Sequence, residues 1–91
     1  MAMAKDKRYS TVRILIEGGH ITGFFQIFDH IPVSVVAEDS GSNYVRFKRL
    51  IENPSRFKLK DIFLMARLFE IPEMTMITLI VNQQLKNKRQ K

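Results

Sequence analysis

The sequence predicts an all-α fold, a compact bundle of five to six short helices. Three observations carry that expectation. Apolar residues recur at helical spacing, most clearly in Leu59, Ile62, Phe63, Met65, Ala66 and Phe69. Residues that stop or start helices punctuate the chain at Gly18-Gly19, Pro32, Gly41, Asn53-Pro54 and Pro72. The run from Val12 to Ile16 is partly β-branched and open to a strand reading, but no second convincing strand exists to pair with it.

Taken in order, residues 1–9 are short, polar and charged, and are expected to be disordered. Residues 10–85 form the helical domain, and 86–91 a basic tail. Ser10 is the candidate cap of a first helix that ends at Gly18-Gly19, where glycine supplies a left-handed turn cheaply. Thr22 is the candidate cap of the next segment, TGFFQIFDHI. Its apolar residues surround the helix, as in a buried central helix. Pro32 suits the first turn of a third helix, where its missing N–H costs nothing. Val33, Val36 and Ala37 are that helix's apolar positions, and Gly41 ends it. Ser42-Asn43 offers the next cap, for a helix to about Glu52. Pro54 disfavours helical geometry at Asn53 and breaks it. A helix from about Lys58 to Phe69 follows, and Pro72 opens the last one.

Ninety-one residues suffice for one small domain that buries roughly 60–65% of its unfolded surface. There is no cysteine, hence no disulfide framework, thiol nucleophile or thiolate metal site. The N-terminus lacks the apolar core of a signal peptide, and no apolar run approaches a membrane span. The cytoplasm is the expected location. Net charge is +6, unevenly placed. Up to Gly41, four bases face five acids; from Ser42 onward, eleven bases face four. A concentrated basic half favours a polyanion over the alternative of a soluble protein with a basic tail.

The positive field begins with the helix Asn43–Glu52. On a wheel of about 100° per residue, Tyr44, Phe47, Leu50 and Ile51 form a core-facing stripe. Val45, Lys48, Arg49 and Glu52 share the opposite face, with Asn43 and Arg46 at its edges. Such a face suits a DNA major groove. Arg and Lys donate to guanine, Asn pairs with adenine, and Val touches a thymine methyl. An ordinary solvated helix face has the same residue types, so the preceding spacing decides. Ala37 lets two helices approach closely, Gly41 permits a tight turn, and Phe47 and Leu50 anchor the second helix. This is a helix-turn-helix layout.

On those residues the chain resembles the lambda repressor-like helix-turn-helix family, including Cro-type and xenobiotic-response-element-type regulators, over about Ile21 to Ile80. Val36-Ala37, Gly41, Ser42-Asn43-Tyr44 and Phe47 match the family's two-helix pattern, and Ala66, Phe69 and Ile71 match its later helix. Ser40 and Ser42 stand where apolar residues are usual. Val33 replaces a phosphate-gripping Gln, leaving Ser34 as the substitute. The resemblance implies a double-stranded DNA-binding regulator. The implied DNA contacts are Ser42, Asn43, Tyr44, Val45, Arg46, Lys48 and Arg49. Tyr44 is open to either packing or contact, and Arg46 is assigned to phosphate. Arg56, Lys58 and Lys60 are further phosphate candidates.

No nucleophile motif, phosphate loop or metal-ligand spacing appears, so no catalytic residue, metal, cofactor or small-molecule substrate is expected. His20 and His30 fall at a turn and at a helix end. The last helix, through Met74, Met76, Ile77 and Ile80, is the expected surface for a homodimer. The rival readings are a helical protein–protein module, adaptor or antitoxin-like, that does not read bases, and RNA binding through the basic tail.

Overall fold

The computed structural model describes residues 6–89, with side chains described as far as Asn87. Among these the structure is all-helical. It has α1 (Arg8–Glu17), α2 (Val33–Asp39), α3 (Tyr44–Glu52), α4 (Leu59–Phe69) and α5 (Glu73–Arg89). Two 3-10 segments, Phe24–Asp29 and Pro54–Arg56, complete the order, and no strand occurs among the described residues.

The Val12–Ile16 run is helical, in line with its having no strand to pair with. α1 nevertheless begins at Arg8, ahead of the expected Ser10 cap, and Tyr9 is buried. Residues 1–5 of the expected disordered segment lie outside the described residues. At the other end α5 continues to Arg89, so Lys86 and Asn87 belong to the helix rather than to a separate tail.

The largest departure is at 22–31. The expected central α-helix is a six-residue 3-10 helix. Thr22 does not cap it; the Gln26 side chain accepts from the backbone N–H of both Thr22 and Gly23, each at 2.8 Å. Phe24 and Ile27 are buried, while Phe25 and Phe28 are half-buried. A tighter helix places side chains every third residue in line, so Phe24 and Ile27 share one inward row. Gln83 and Asn82 of α5 secure the segment. Gln83 Oε1 accepts from Phe25 N–H at 3.0 Å, and Asn82 Nδ2 donates to the Thr22 carbonyl at 2.9 Å. A side chain at Gly23 would meet Gln83 Oε1 at 3.0 Å, so only glycine fits without displacement.

The core runs from Tyr9 and Val12 through Phe24, Ile27, Ile31, Val36, Phe47, Met65 and Phe69 to Met76. Edge-to-face ring contacts join Phe28 to Phe24, Phe24 to Phe57, and Phe57 to Phe47, with centroids 5.4, 5.6 and 5.8 Å apart. Such pairs add stabilisation beyond their buried area, about 0.5–1.5 kcal/mol each. Ile62, Met65, Ala66 and Phe69 of the α4 stripe are buried, but Leu59 and Phe63 are exposed. Met76 and Ile80 are buried as well. They close the core, while Ile77 is half-buried and Met74 is exposed.

Three helices end alike. In α1, α2 and α4 a residue one or two positions past the end is left-handed, and the next N–H reaches back five residues. The bonds are His20 to Leu15, Ser42 to Ala37 and Ile71 to Ala66, at 2.8, 2.9 and 3.0 Å. Gly19 and Gly41 take the left-handed position in the first two, at φ 80° and 74°. In α4 it is Glu70, at φ 56°. Replacing Glu70 with Gly removes that strain along with the side chain's exposed contacts, the ion pair with Arg13 among them. Chemical denaturation should show Glu70→Gly unchanged or stabilised by up to about 1 kcal/mol.

Tyr9 ties α1 to α2 through a 2.7 Å bond from its hydroxyl to Asp39 Oδ2. Burial first, then the Asp39 carboxylate, raises the phenol above its ordinary pKa of 10.0. The neutral phenol is thus favoured by folding. Its contribution is full below pH 10 and is lost as pH rises from there through the folded value. Tyr9→Phe should cost about 1 kcal/mol at neutral pH and reduce the loss of stability measured above pH 10.

Candidate nucleic-acid interface

The candidate site is α3 and the turn that follows it. Its position is set at both ends. At the start, Gly41 N–H closes on the Glu38 carbonyl at 3.0 Å and Ser42 N–H on that of Ala37. This satisfies the last carbonyls of α2 and swings the chain round. Asn43 then caps α3, its Oδ1 accepting from Arg46 N–H at 3.1 Å. At the far end Pro54 opens a 3-10 turn, and Phe57 returns the chain to the core.

Between these ends Phe47 and Ile51 are buried and Leu50 is half-buried. Ala37 is buried beneath, as the close approach of two helices requires. The outer face carries Val45, 55% exposed, with Arg46, Lys48, Arg49 and Glu52. Tyr44 is 46% exposed, which places its ring outside the core. Ser42 is half-buried, while Ser34, Arg56, Lys58 and Lys60 are exposed.

The structure divides the sequence-predicted set. Arg46, Arg49 and Arg56 line one open hollow with Leu50, Glu52 and Asn53. Lys48 lies on the other flank, where it lines a largely apolar notch with Phe25, Phe28, Val33, Ile51 and Glu52. Val33, where a phosphate-gripping Gln was the family expectation, is half-buried in that notch. Asn53 was not among the expected contacts. A signal for it is present in the sequence: 46, 49, 53 and 56 continue one helical face across the Pro54 break. Asn43 also changes standing. Adenine recognition by Asn uses both the amide oxygen and the NH2, and the oxygen here is held by the cap.

The cations are unmatched. Among the described residues the ion pairs are Arg8 with Asp6, and Arg13 with Glu17 and Glu70. The side chains of Arg46, Lys48, Arg49, Arg56, Lys58 and Lys60 form no ion pair with a described residue. Asp6 shows what pairing does: hydrogen bonds from the Arg8 side chain and N–H hold its carboxyl down at about 2. On α3, Glu52 lines the same hollow as Arg46, Arg49 and Arg56 without forming an ion pair with them. Among the described residues no His, Asp or Glu cluster has the makings of a metal site. No described helix is long and apolar enough to cross a membrane.

Comparison with protein-family models, with curated proteins and with solved structures finds no match. The class supported at this point is therefore the coarse one, an all-α domain with one unneutralised basic face.

The cap provides a direct check of how α3 is held. Asn43→Ala should cost about 1 kcal/mol. Thermal melts should show it as a fall of about 4–8 °C, with Asn43→Asp recovering most of the loss.

Proposed function

We propose that this protein is a sequence-specific double-stranded DNA-binding regulator that sets α3 in the major groove. One observation carries the reading: a row of exposed, unpaired cations stands on a helix whose other face is clamped by aromatic packing. Unpaired bases leave the charge available to phosphate. The clamp means little orientational freedom of the helix is lost on binding. Within the face, Val45, Lys48 and Arg49 are the base-reading candidates, with Tyr44 beside them at the first turn. Arg46 and Arg56, with Lys58 and Lys60, are the backbone-positioning set, and Ser34 is an additional phosphate donor. Arg49 borders both sets, since it shares the hollow with Arg46 and Arg56. Pairing of two copies would present α3 twice, so a two-fold operator is the natural target.

The test is titration of the full chain on random duplex and on sites selected from a random library, at several salt concentrations. If the four backbone-positioning cations all meet phosphate, log K falls against log salt with a slope of about −4. Arg56→Ala should reduce the slope by about one and weaken all sequences alike. Lys48→Ala should cost about 1–3 kcal/mol on the selected site and relax preference at one position. Absence of binding to any duplex at low salt would sink the reading and favour a protein–protein module. Dependence on Lys86–Lys91 alone would favour RNA binding by the tail.

A further inference from the structure

Three separate segments of chain enclose a notch beside α3. Phe25 and Phe28 of the first 3-10 helix, Val33 at the start of α2, and Lys48, Ile51 and Glu52 of α3 line about 240 Å³. Ile51 is buried, while Phe25, Phe28 and Val33 are half-buried and keep part of their surface open to solvent. The walls are thus apolar, and the polar side chains are two, of opposite charge. A concave, mostly apolar site with a few placed polar groups is the usual form of a small-molecule site. The volume lies below the roughly 300–1,000 Å³ of drug-sized sites, so it suits one ring or one branched alkyl group.

The two charges select the occupant. Lys48 and Glu52 stand at i and i+4, on one face of α3, where Cβ atoms are about 5–6 Å apart. They form no ion pair with each other. Lysine ahead of glutamate is the weaker order for such a pair. The ammonium therefore keeps its donors and the carboxylate its acceptors for another molecule. A carboxylic acid seated in the notch would meet Lys48 but face the Glu52 carboxylate. An amine would meet Glu52 but face the Lys48 ammonium. A side chain inserted by a partner protein would fill the notch but bring no charge for either, since its backbone is amide. A free α-amino acid carries both charges beside one apolar body and satisfies both. Two phenylalanine walls favour an aromatic body, through edge-to-face or offset ring contacts. The geometry points to a binding site for a free aromatic amino acid, with its ring against Phe25 and Phe28, its carboxylate on Lys48 and its ammonium on Glu52.

The test titrates the isotope-labelled full chain with L-phenylalanine in the absence of nucleic acid, followed by amide NMR. Shifts should saturate at Phe25, Phe28, Val33 and Ile51. The Kd should be about a millimolar, as expected for a ligand of about a dozen heavy atoms. Phenylpropionate lacks the ammonium and phenethylamine lacks the carboxylate. Each should bind at least about tenfold more weakly, through loss of one charge-assisted bond. Lys48→Met should weaken phenylalanine and phenylpropionate but not phenethylamine. Glu52→Gln should weaken phenylalanine and phenethylamine but not phenylpropionate. Both positions are exposed, so both variants keep the fold. Three results each overturn the proposal: no saturable shift at the notch at tens of millimolar phenylalanine, either analogue binding as tightly as phenylalanine, or phenylalanine binding unchanged by both variants. Lys48 is shared with the DNA reading, but no measurement here contains DNA, so failure of the amino acid site leaves that reading standing.

Discussion

The placement of α3 depends on the ring contacts of Phe47, Phe57 and Phe24. Phe47 is the inward residue of α3, Phe57 begins the return after the Pro54 turn, and Phe24 opens the 3-10 helix. The three come from segments separated by more than twenty residues of chain at one step and ten at the other. Together they hold the start of the site, its end and the central packing layer at one point. An edge-to-face contact is directional as well as apolar. It limits rolling of α3 about its axis, and rolling would exchange Val45, Lys48 and Arg49 for other residues on the outer face.

Around this point the polar groups are arranged to remove local alternatives. The 3-10 helix is short, and its entry would leave backbone donors without helical partners. Gln26 satisfies two of them from within, and Gln83 satisfies Phe25 N–H from α5. The last helix therefore completes the central layer with hydrogen bonds as well as with Met76 and Leu79. An unmet donor at such a site costs more than the bond itself contributes, which accounts for a buried glutamine on an otherwise apolar helix face.

Charge follows a different logic in the two halves. Arg8 and Arg13 lie beside carboxylates just before α1, on α1 and at the end of α4. The bases of α3 and the following turn lack such partners. An exposed ion pair contributes little to stability, so this contrast hardly affects the fold. It concentrates the unbalanced field on one side, which is the basis of the DNA reading.

Much of the architecture was legible in the residues. Apolar spacing and the glycine and proline breaks placed α1 to α5 with ends close to those observed, because helix periodicity and end chemistry are local. The outward set Val45, Arg46, Lys48 and Arg49 was legible for the same reason, as was the role of Gly41. Tertiary structure decided the rest. Thr22–Ile31 has the composition of a buried helix, but its 3-10 form depends on bonds from Gln83 and Asn82, sixty residues away. Leu59 and Phe63 satisfy the α4 period yet face outward, since a stripe wider than its contact must leave an edge uncovered. Met76 and Met74 are alike in sequence terms, and only packing assigns one to the core and the other to the surface. Periodicity thus determined which segments are helices; which side of each is covered, and how Arg56 comes to stand with Arg46 and Arg49, follows from contacts between residues distant in the chain.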